Sequence, residues 1–144
     1  MHVDFDYEVG RSNKCGHVIC CRKDSPMPTK PEEAAGFWGD YVCDIPPQTM
    51  NSMFDFIRDE LKPDAAFWLG DSIAHHLDSL TEEDNINSMV KVSRQVQKAF
   101  KDIPLWAAIG NHDTYPQDLF EGKVPRQNKA INEWIKSWKE FDFI

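Results

Sequence analysis

Two short apolar runs, each closed by a glycine and a polar residue, restrict the fold of this chain more than any other feature. They are residues 65–69 (AAFWL) and residues 104–109 (PLWAAI), and Gly70 and Gly110 follow them. Short apolar runs bounded by turn residues are typical of strands buried in a sheet. Helical apolar spacing precedes, separates and follows the two runs. This order predicts an α/β domain whose parallel strands are joined by right-handed crossover connections.

Apolar residues at helical spacing predict three helices around these strands. The first helix begins at Thr49 as its N-cap and ends at residues 62–64 (KPD), because a proline disfavours helical geometry in the residue before it. The second helix begins near Thr81, where acidic residues favour the first turn, and continues to Phe100. The third helix spans residues 128–139, with apolar residues on one face.

The first third of the chain lacks this periodicity. Residues 1–47 contain all four cysteines and five of the nine prolines, and we expect them to be irregular. We therefore expect a single domain over residues 1–144, in which a Cys-rich irregular segment (1–47) precedes an α/β part (48–144). A chain of 144 residues is long enough to bury a core.

The charge and hydropathy of the chain exclude some functions. A net charge of −8 argues against binding a nucleic-acid polymer or an anionic membrane, since both need a basic patch. It does not exclude a small anionic substrate, because bound metal ions would reverse the local charge. No apolar run approaches the roughly 20 residues of a membrane span. Polar residues directly follow Met1, so no signal peptide is expected within this chain.

The cysteines point to an oxidising compartment or to a metal. An even, clustered set indicates either two disulfides or a metal site, and the metal alternative is a structural zinc ion that also uses His17. If the cysteines form disulfides, the native compartment is oxidising, and a leader has been cut off or left out of this sequence. The four positions are Cys15, Cys20, Cys21 and Cys43.

Chemically useful side chains follow both predicted strands, where ligands gather in open α/β sheets. Asn111 can ligate a divalent metal through its amide oxygen, and His112 beside it can reach a substrate oxygen. The alternative is an ordinary turn, since turns favour Asn and Asp. Asp71 can bridge two metal ions about 3.5–4 Å apart. Its alternative role is a helix N-cap, with His75 on the surface.

A third cluster stands at the start of the chain. His2, Asp4 and Asp6 lie within the first few residues. A lone terminal histidine is normally a solvated residue without a function. We would assign His2 no function if the two strand-end clusters were absent, and their presence makes a functional role for His2 worth considering.

Several uncommon strings in one order resemble the calcineurin-like metallophosphoesterases. Within that superfamily the chain is most similar to acid sphingomyelinase and its sphingomyelinase-like relatives. The matching strings are residues 15–22 (CGHVICCR), 36–46 (GFWGDYVCDIP), 68–75 (WLGDSIAH) and 109–120 (IGNHDTYPQDLF). The resemblance implies part of a metallophosphoesterase sandwich, preceded by a disulfide-rich segment.

The resemblance also implies roles for five residues around two divalent metal ions, with zinc as the expected metal. His2 would ligate a metal, Asp71 would bridge the two ions, and Asn111 would ligate the second ion. His112 would stabilise the transition state or protonate the leaving oxygen. His75 would be a second histidine that contacts the substrate.

The cysteines and the compartment follow from the same resemblance. It pairs Cys15 with Cys20 and Cys21 with Cys43, and it implies a secreted or lysosomal protein. It gives His76 no counterpart, so we interpret His76 as a loop histidine.

The sequence departs from the family pattern at both ends. The opening motif has an aspartate two residues before the position of His2, and three further metal-binding histidines come later in the pattern. His2, Asp71 and Asn111 are three of the seven ligands that the pattern implies. We therefore expect a fragment, a truncated gene model or a remnant, which by itself binds metal weakly and hydrolyses little or no substrate.

The function implied is metal-dependent hydrolysis of a phosphodiester by a monomeric enzyme. Sphingomyelin, nucleotide diesters and nucleoside triphosphates are all compatible substrates. One alternative is a phosphomonoesterase of the wider superfamily, which shares the core motifs. The other is a non-catalytic, disulfide-bonded binding module, which the absent ligands favour. The Cys-rich segment and the spacing from Gly70 to His75 favour the diesterase.

Overall fold

The computed structural model describes residues 1–76, 80–119 and 129–139. The predicted order of helices and strands is confirmed in these residues. The elements are α1 (Pro47–Phe56), β1 (Ala66–Trp68), α2 (Glu82–Ala99), β2 (Leu105–Ala107) and α3 (Lys129–Lys139). Short helical turns add Pro31–Glu33, Ile57–Leu61 and Asn111–Asp113. Asn128, the first residue of the predicted third helix, lies outside the described residues.

The two strands pair in parallel, as the sequence predicts. Phe67 lies beside Trp106 in the register, with Ala66 beside Leu105. Because the pairing is parallel, both strands enter the sheet from the same end, and α2 lies in the connection between them. Their carboxyl ends therefore lie at the same edge of the sheet. Asp71 follows one of these ends in the chain, and Asn111 follows the other.

The prediction that both runs are buried holds for only one face of the sheet. Side chains of a strand alternate between faces, and Trp68 packs against the hydrophobic core. Phe67 and Trp106 point the other way, are 71% and 53% exposed, and stack with ring centroids 5.0 Å apart. The error arose because a continuous apolar run cannot show which face is covered.

The start of α1 also differs from the prediction. The helix begins at Pro47, with Pro46 as N-cap, rather than after Thr49. A proline fits the first helical position because the missing N–H has no intrahelical partner there. The hydroxyl of Thr49 instead donates to the Trp38 carbonyl at 2.6 Å. The predicted stop is confirmed, since Lys62 takes a left-handed conformation after the last helical turn.

Helix α2 is the centre of the fold. Thr81 and Asp84 form a reciprocal capping box at its start, close to the predicted position. The helix packs against both α1 and α3. Its buried residues include Ile86, Met89, Val92 and Val96. In the part of the chain that is described, no helix has the length and apolar character to cross a membrane.

The Cys-rich segment is irregular, as expected, and is held by covalent and ionic contacts. Disulfides join Cys15 to Cys20 and Cys21 to Cys43, so the pairing implied by the resemblance is confirmed and the structural zinc alternative is wrong. The buried guanidinium of Arg22 pairs with Asp4 Oδ1 at 2.8 Å and with Asp6 Oδ2 at 2.9 Å. Within the Cys-rich segment, these ion pairs connect the residue after Cys21 to the start of the chain.

Candidate active site

Three histidines that are far apart in the sequence come together at the carboxyl edge of the sheet. We call His2, His75 and His112 the histidine cluster. The ring of His2 lies 3.8 Å from that of His75 and 4.8 Å from that of His112, centroid to centroid. One nitrogen of each ring lies within 4.8 Å of the others, which is close enough for a shared metal ion or a shared substrate. All three rings are partly exposed.

His2 reaches this edge because the start of the chain lies between two other segments. Val3 forms parallel bridges with both Ile45 and Ile73. The Val3 amide donates to the Ser72 carbonyl at 3.3 Å, and the Ile45 amide donates to the His2 carbonyl at 3.2 Å. The idea of a solvated terminal histidine is therefore wrong for His2.

The ring of His2 is oriented by one hydrogen bond. Nδ1 lies 2.7 Å from the Ile73 carbonyl, and because a carbonyl only accepts, Nδ1 carries the proton. Nε2 then keeps its lone pair, 3.8 Å from Asp71 Oδ2. Burial lowers the pKa of His2 and outweighs the opposing effect of the bond to Ile73. A neutral imidazole is the form that binds a metal.

Asp71 occupies an unusual backbone conformation at the end of β1. Its φ of 52° is in the left-handed region, which aspartate tolerates better than most residues. Oδ1 accepts from the His112 amide at 3.2 Å, while Oδ2 faces His2. Residues 72–76 form no helix, so the alternative role of Asp71 as an N-cap is wrong.

The separation of His2 and Asp71 fits a metal ion between them. Zinc lies about 2.0–2.1 Å from imidazole nitrogen and about 2.0–2.2 Å from carboxylate oxygen. The 3.8 Å between His2 Nε2 and Asp71 Oδ2 is shorter than the sum of two such bonds, so one ion can contact both atoms. The carbonyl that holds His2 Nδ1 is also typical of metal-binding histidines.

Asp113 belongs to the motif that follows the second strand, but no role was predicted for it, and it connects the two strand ends to each other. Asp113 is 1% exposed, and its carboxylate accepts three backbone hydrogen bonds. The donors are the amides of Gly110 at 2.9 Å, Asp71 at 2.8 Å and Ser72 at 2.8 Å. The position after His112 was visible in the motif, but the cross-strand partners belong to the tertiary structure.

The two glycines at the strand ends are required by this close approach. Gly70 has a φ of 77°, and a Cβ there would lie 2.6 Å from Asp113 Oδ2 and closer still to the Gly110 amide. A Cβ on Gly110 would overlap the carboxylate of Asp71. The Asp71 loop and the His112 loop can touch only because neither glycine has a side chain.

Asn111 lies on the exposed side of the His112 loop. Its Nδ2 donates to Asp118 Oδ1 at 2.8 Å, which leaves the amide oxygen as the atom that could ligate a metal. Its role as a ligand stays a prediction.

Asn85 on α2 is a second residue that the sequence did not reveal. Fully buried, it donates from Nδ2 to the carbonyls of His112 and Thr114, each at 3.2 Å. It therefore fixes the backbone that carries His112. His112 Nδ1 is buried and has no hydrogen-bond partner among the described residues.

His75 is half-buried and pairs with Asp44, so the alternative of a plain surface histidine does not describe it. His76, its neighbour in the chain, is not part of the histidine cluster. This agrees with its interpretation as a loop histidine.

Comparison with known proteins places this arrangement in a family. The calcineurin-like phosphoesterase family model matches residues 37–144, and so begins inside the Cys-rich segment. Sphingomyelin phosphodiesterase B of Dictyostelium discoideum is 39% identical over 144 residues, covering 98% of this chain and 22% of that protein. Human acid sphingomyelinase-like phosphodiesterase 3b is 31% identical, covering 96% and 29%. Human cyclic GMP-AMP phosphodiesterase is 28% identical, covering 100% and 31%.

The chain thus spans less than a third of the length of each of these relatives, and the resemblance to sphingomyelinase-like proteins is confirmed over most of its residues. The family match covers both strands, both strand-end loops and all three helices. The chain belongs to the calcineurin-like phosphoesterase family.

Proposed function

We propose that this chain supplies part of the active site of a metal-dependent phosphodiester hydrolase. The observation that carries the proposal is the position of His2 Nε2 opposite Asp71 Oδ2, with His75 and His112 beside them. This arrangement offers metal ligands and substrate-facing histidines at one point. The names of the similar proteins, which are phosphodiesterases, support a diester as substrate.

The metal centre would hold two zinc ions. His2, Asp71 and Asn111 would supply ligands from this chain, with Asp71 shared by the two ions. When bound, the ions would polarise the phosphoryl group and lower the pKa of a water molecule. The mixed imidazole, carboxylate and amide set suits zinc, although it does not by itself exclude manganese or iron.

The chain's own groups would orient the reacting atoms. Asp113 and Asn85 hold the backbone of the two loops, so that Asp71 and His112 keep their separation. His112 and His75 would lie on the substrate side, with His112 as the hydrogen-bond donor toward the phosphoryl or leaving oxygen. A donor held in advance at the oxygen where charge develops lowers the barrier without reorganising during the reaction.

The substrate and the compartment are parts of the same proposal. The names of these relatives refer to a lipid phosphodiester and to a cyclic dinucleotide, so we propose sphingomyelin or a nucleotide-type diester as the substrate class. Two disulfides in a single short segment favour a secreted or lysosomal protein, because cytosolic thiols stay reduced. We propose a single monomeric domain in which residues 1–47 complete the site of the α/β part.

The test uses the whole protein, by which we mean the longest natural chain that carries these residues. Hydrolysis of bis(p-nitrophenyl) phosphate and of p-nitrophenyl phosphate is measured after loading with zinc or manganese. Faster hydrolysis of the diester than of the monoester supports the proposal. This hydrolysis should be lost in Asp71→Asn and kept in His76→Ala. Preference for the monoester would replace it with a phosphomonoesterase. Bound metal without hydrolysis of either ester would indicate a non-catalytic module.

A further inference from the structure

The buried carboxylate of Asp44 holds His75 by two hydrogen bonds. The His75 amide donates to Oδ2 at 2.6 Å, and His75 Nδ1 lies 2.8 Å from Oδ1. Asp44 is 8% exposed, whereas the side chain of His75 is 38% exposed. The carboxylate therefore lies beneath the ring, and the ring faces the edge of the sheet where His2 and His112 lie.

Asp44 is itself fixed by its neighbours in the chain. Cys43 is bonded covalently to Cys21. Ile45 pairs with Val3, and its amide donates to the carbonyl of His2 at 3.2 Å. A carboxylate between these two anchors cannot move far from either His75 or the start of the chain.

We propose that Asp44 is a positioning residue that sets the orientation and the tautomer of His75. An ionised carboxylate only accepts hydrogen bonds, so His75 Nδ1 carries the proton. Nε2 is then the ring nitrogen that can contact a substrate or a neighbouring group. The ring of His75 is kept 3.8 Å from that of His2 and 4.7 Å from that of His112.

The Cys-rich segment gains a role in the chemistry from this contact. Residues 15–43 contribute no ring to the histidine cluster. Their second disulfide, Cys21–Cys43, nevertheless includes the residue next to Asp44, which orients His75. The contact of His75 with substrate rests on the proposed function. Its orientation by Asp44 does not, and it can be measured without turnover.

The tautomer of His75 is read from the ¹⁵N chemical shifts of the ring, using the 144-residue chain at pH 8. We expect Nδ1 to be protonated and Nε2 to be unprotonated in the wild-type chain. A spectrum with Nε2 protonated would overturn the proposal, and this measurement needs no variant to fold.

The variant Asp44→Asn separates positioning from simple attachment of the loop. The asparagine oxygen can still accept the His75 amide, while its NH₂ group then faces Nδ1. Nδ1 must accept in that case, so we expect the proton to move to Nε2. An unchanged tautomer in a folded Asp44→Asn chain would show that Asp44 does not set it.

The matched control is Asp40→Asn, which removes the same charge from the same segment. Asp40 accepts from Asn13 and from the Val42 amide and has no bond to His75. It should leave the tautomer unchanged, and a tautomer shift in both variants would contradict a specific role of Asp44.

Activity supplies the second measurement, in the whole protein. Mutation of a residue that orients an active-site histidine costs about 10–100-fold in related settings, so Asp44→Asn should lower kcat by that factor with little change in KM. Full activity together with a shifted tautomer would overturn the catalytic relevance of the positioning. An inactive wild-type protein with the expected tautomer would instead count against the proposed function alone.

Discussion

The two carboxylate oxygens of Asp71 have different neighbours, and this difference separates the roles of the residues around it. Oδ1 accepts from the amide of His112, and Oδ2 faces the ring of His2. A change at Asp71 therefore alters both the proposed metal contact and the position of the His112 loop. A change in the ring of His112 leaves that backbone bond in place.

We expect Asp71→Asn to abolish metal retention and turnover in the whole protein, because it removes the bridging charge. His112→Ala should keep both metals and lower the rate by about 10²–10⁴-fold, the usual contribution of a positioned acid or base. The loss should be smaller for p-nitrophenyl esters, whose leaving group needs no proton. Metal analysis is made beside the kinetics, and equal zinc loss in both variants would show that His112 is part of the metal site.

The buried carboxylate of Asp113 should also contribute to the stability of the chain. We expect Asp113→Asn to lower the free energy of unfolding by about 1–3 kcal/mol, because its NH₂ group cannot accept and leaves buried amides unpaired. Urea unfolding of the 144-residue chain measures the change. Asp102→Asn is the control, since that side chain is 81% exposed and should change stability little. Equal effects of the two variants would contradict the role given to Asp113.

At the scale of elements, the site exists where two strands and the opening segment end side by side. The strand ends approach so closely that a single Cβ would not fit at Gly70 or Gly110. The opening segment is then added by the bridges from Val3 to Ile45 and Ile73. None of the three segments could form the histidine cluster alone.

Gly70→Ala tests this close approach, with Gly10→Ala as its matched control. Both glycines have a positive φ, 77° and 87°, but a Cβ on Gly10 meets nothing within 4 Å. Both variants should lose about 1 kcal/mol for the left-handed backbone. Gly70→Ala should lose about 1–3 kcal/mol more through overpacking. Equal losses in urea unfolding would mean that the loops tolerate a Cβ.

The two disulfides should differ in their contribution to stability. Cys21 and Cys43 are 22 residues apart, whereas Cys15 and Cys20 are 5 apart. On loop entropy alone, replacing the longer bridge by serines should cost about 3 kcal/mol and the shorter one about 2 kcal/mol. Thermal unfolding of the two double variants measures this. A larger loss from the shorter bridge would show that loop entropy is not the main contribution.

At the scale of the whole molecule, we expect Glu33 to keep its contacts within the Cys-rich segment in acid. This buried carboxylate accepts from the Thr29 hydroxyl at 2.7 Å, the Thr29 amide at 3.1 Å and the Lys14 ammonium at 3.1 Å. The hydrogen bond from the Thr29 side chain is the main cause that lowers the pKa of Glu33 to about 2. The segment should therefore keep these contacts in a mildly acidic compartment.

The pH dependence of stability tests this assignment. Because the folded pKa of Glu33 is below its usual value of 4.5, its stabilisation is complete above that value and is lost as the pH falls through about 2. Glu33→Gln should therefore be less stable than wild type at pH 5–7 and equal to it below pH 2. The exposed neighbour Glu32 provides the control Glu32→Gln. A difference that persists below pH 2 would contradict the ionised carboxylate as its cause.

The sequence by itself determined the class of fold and the order of its elements. Periodicity and turn residues act over a few neighbours, so they locate α2 and both strands well. They also show that Asp71 and His112 follow strands, which is sufficient to place both at one edge of a parallel sheet. The uncommon strings at residues 15–22 and 109–120 were among those that indicated the family.

Only the tertiary structure decided how the site is completed. Asp44, Asn85 and Asp113 are ordinary polar residues in the sequence, and their roles come from partners 27 to 42 residues away in the chain. Burial gives these contacts their importance, because a polar group removed from water must find a partner within the protein. Distances of that kind are set by packing, and no local pattern records them.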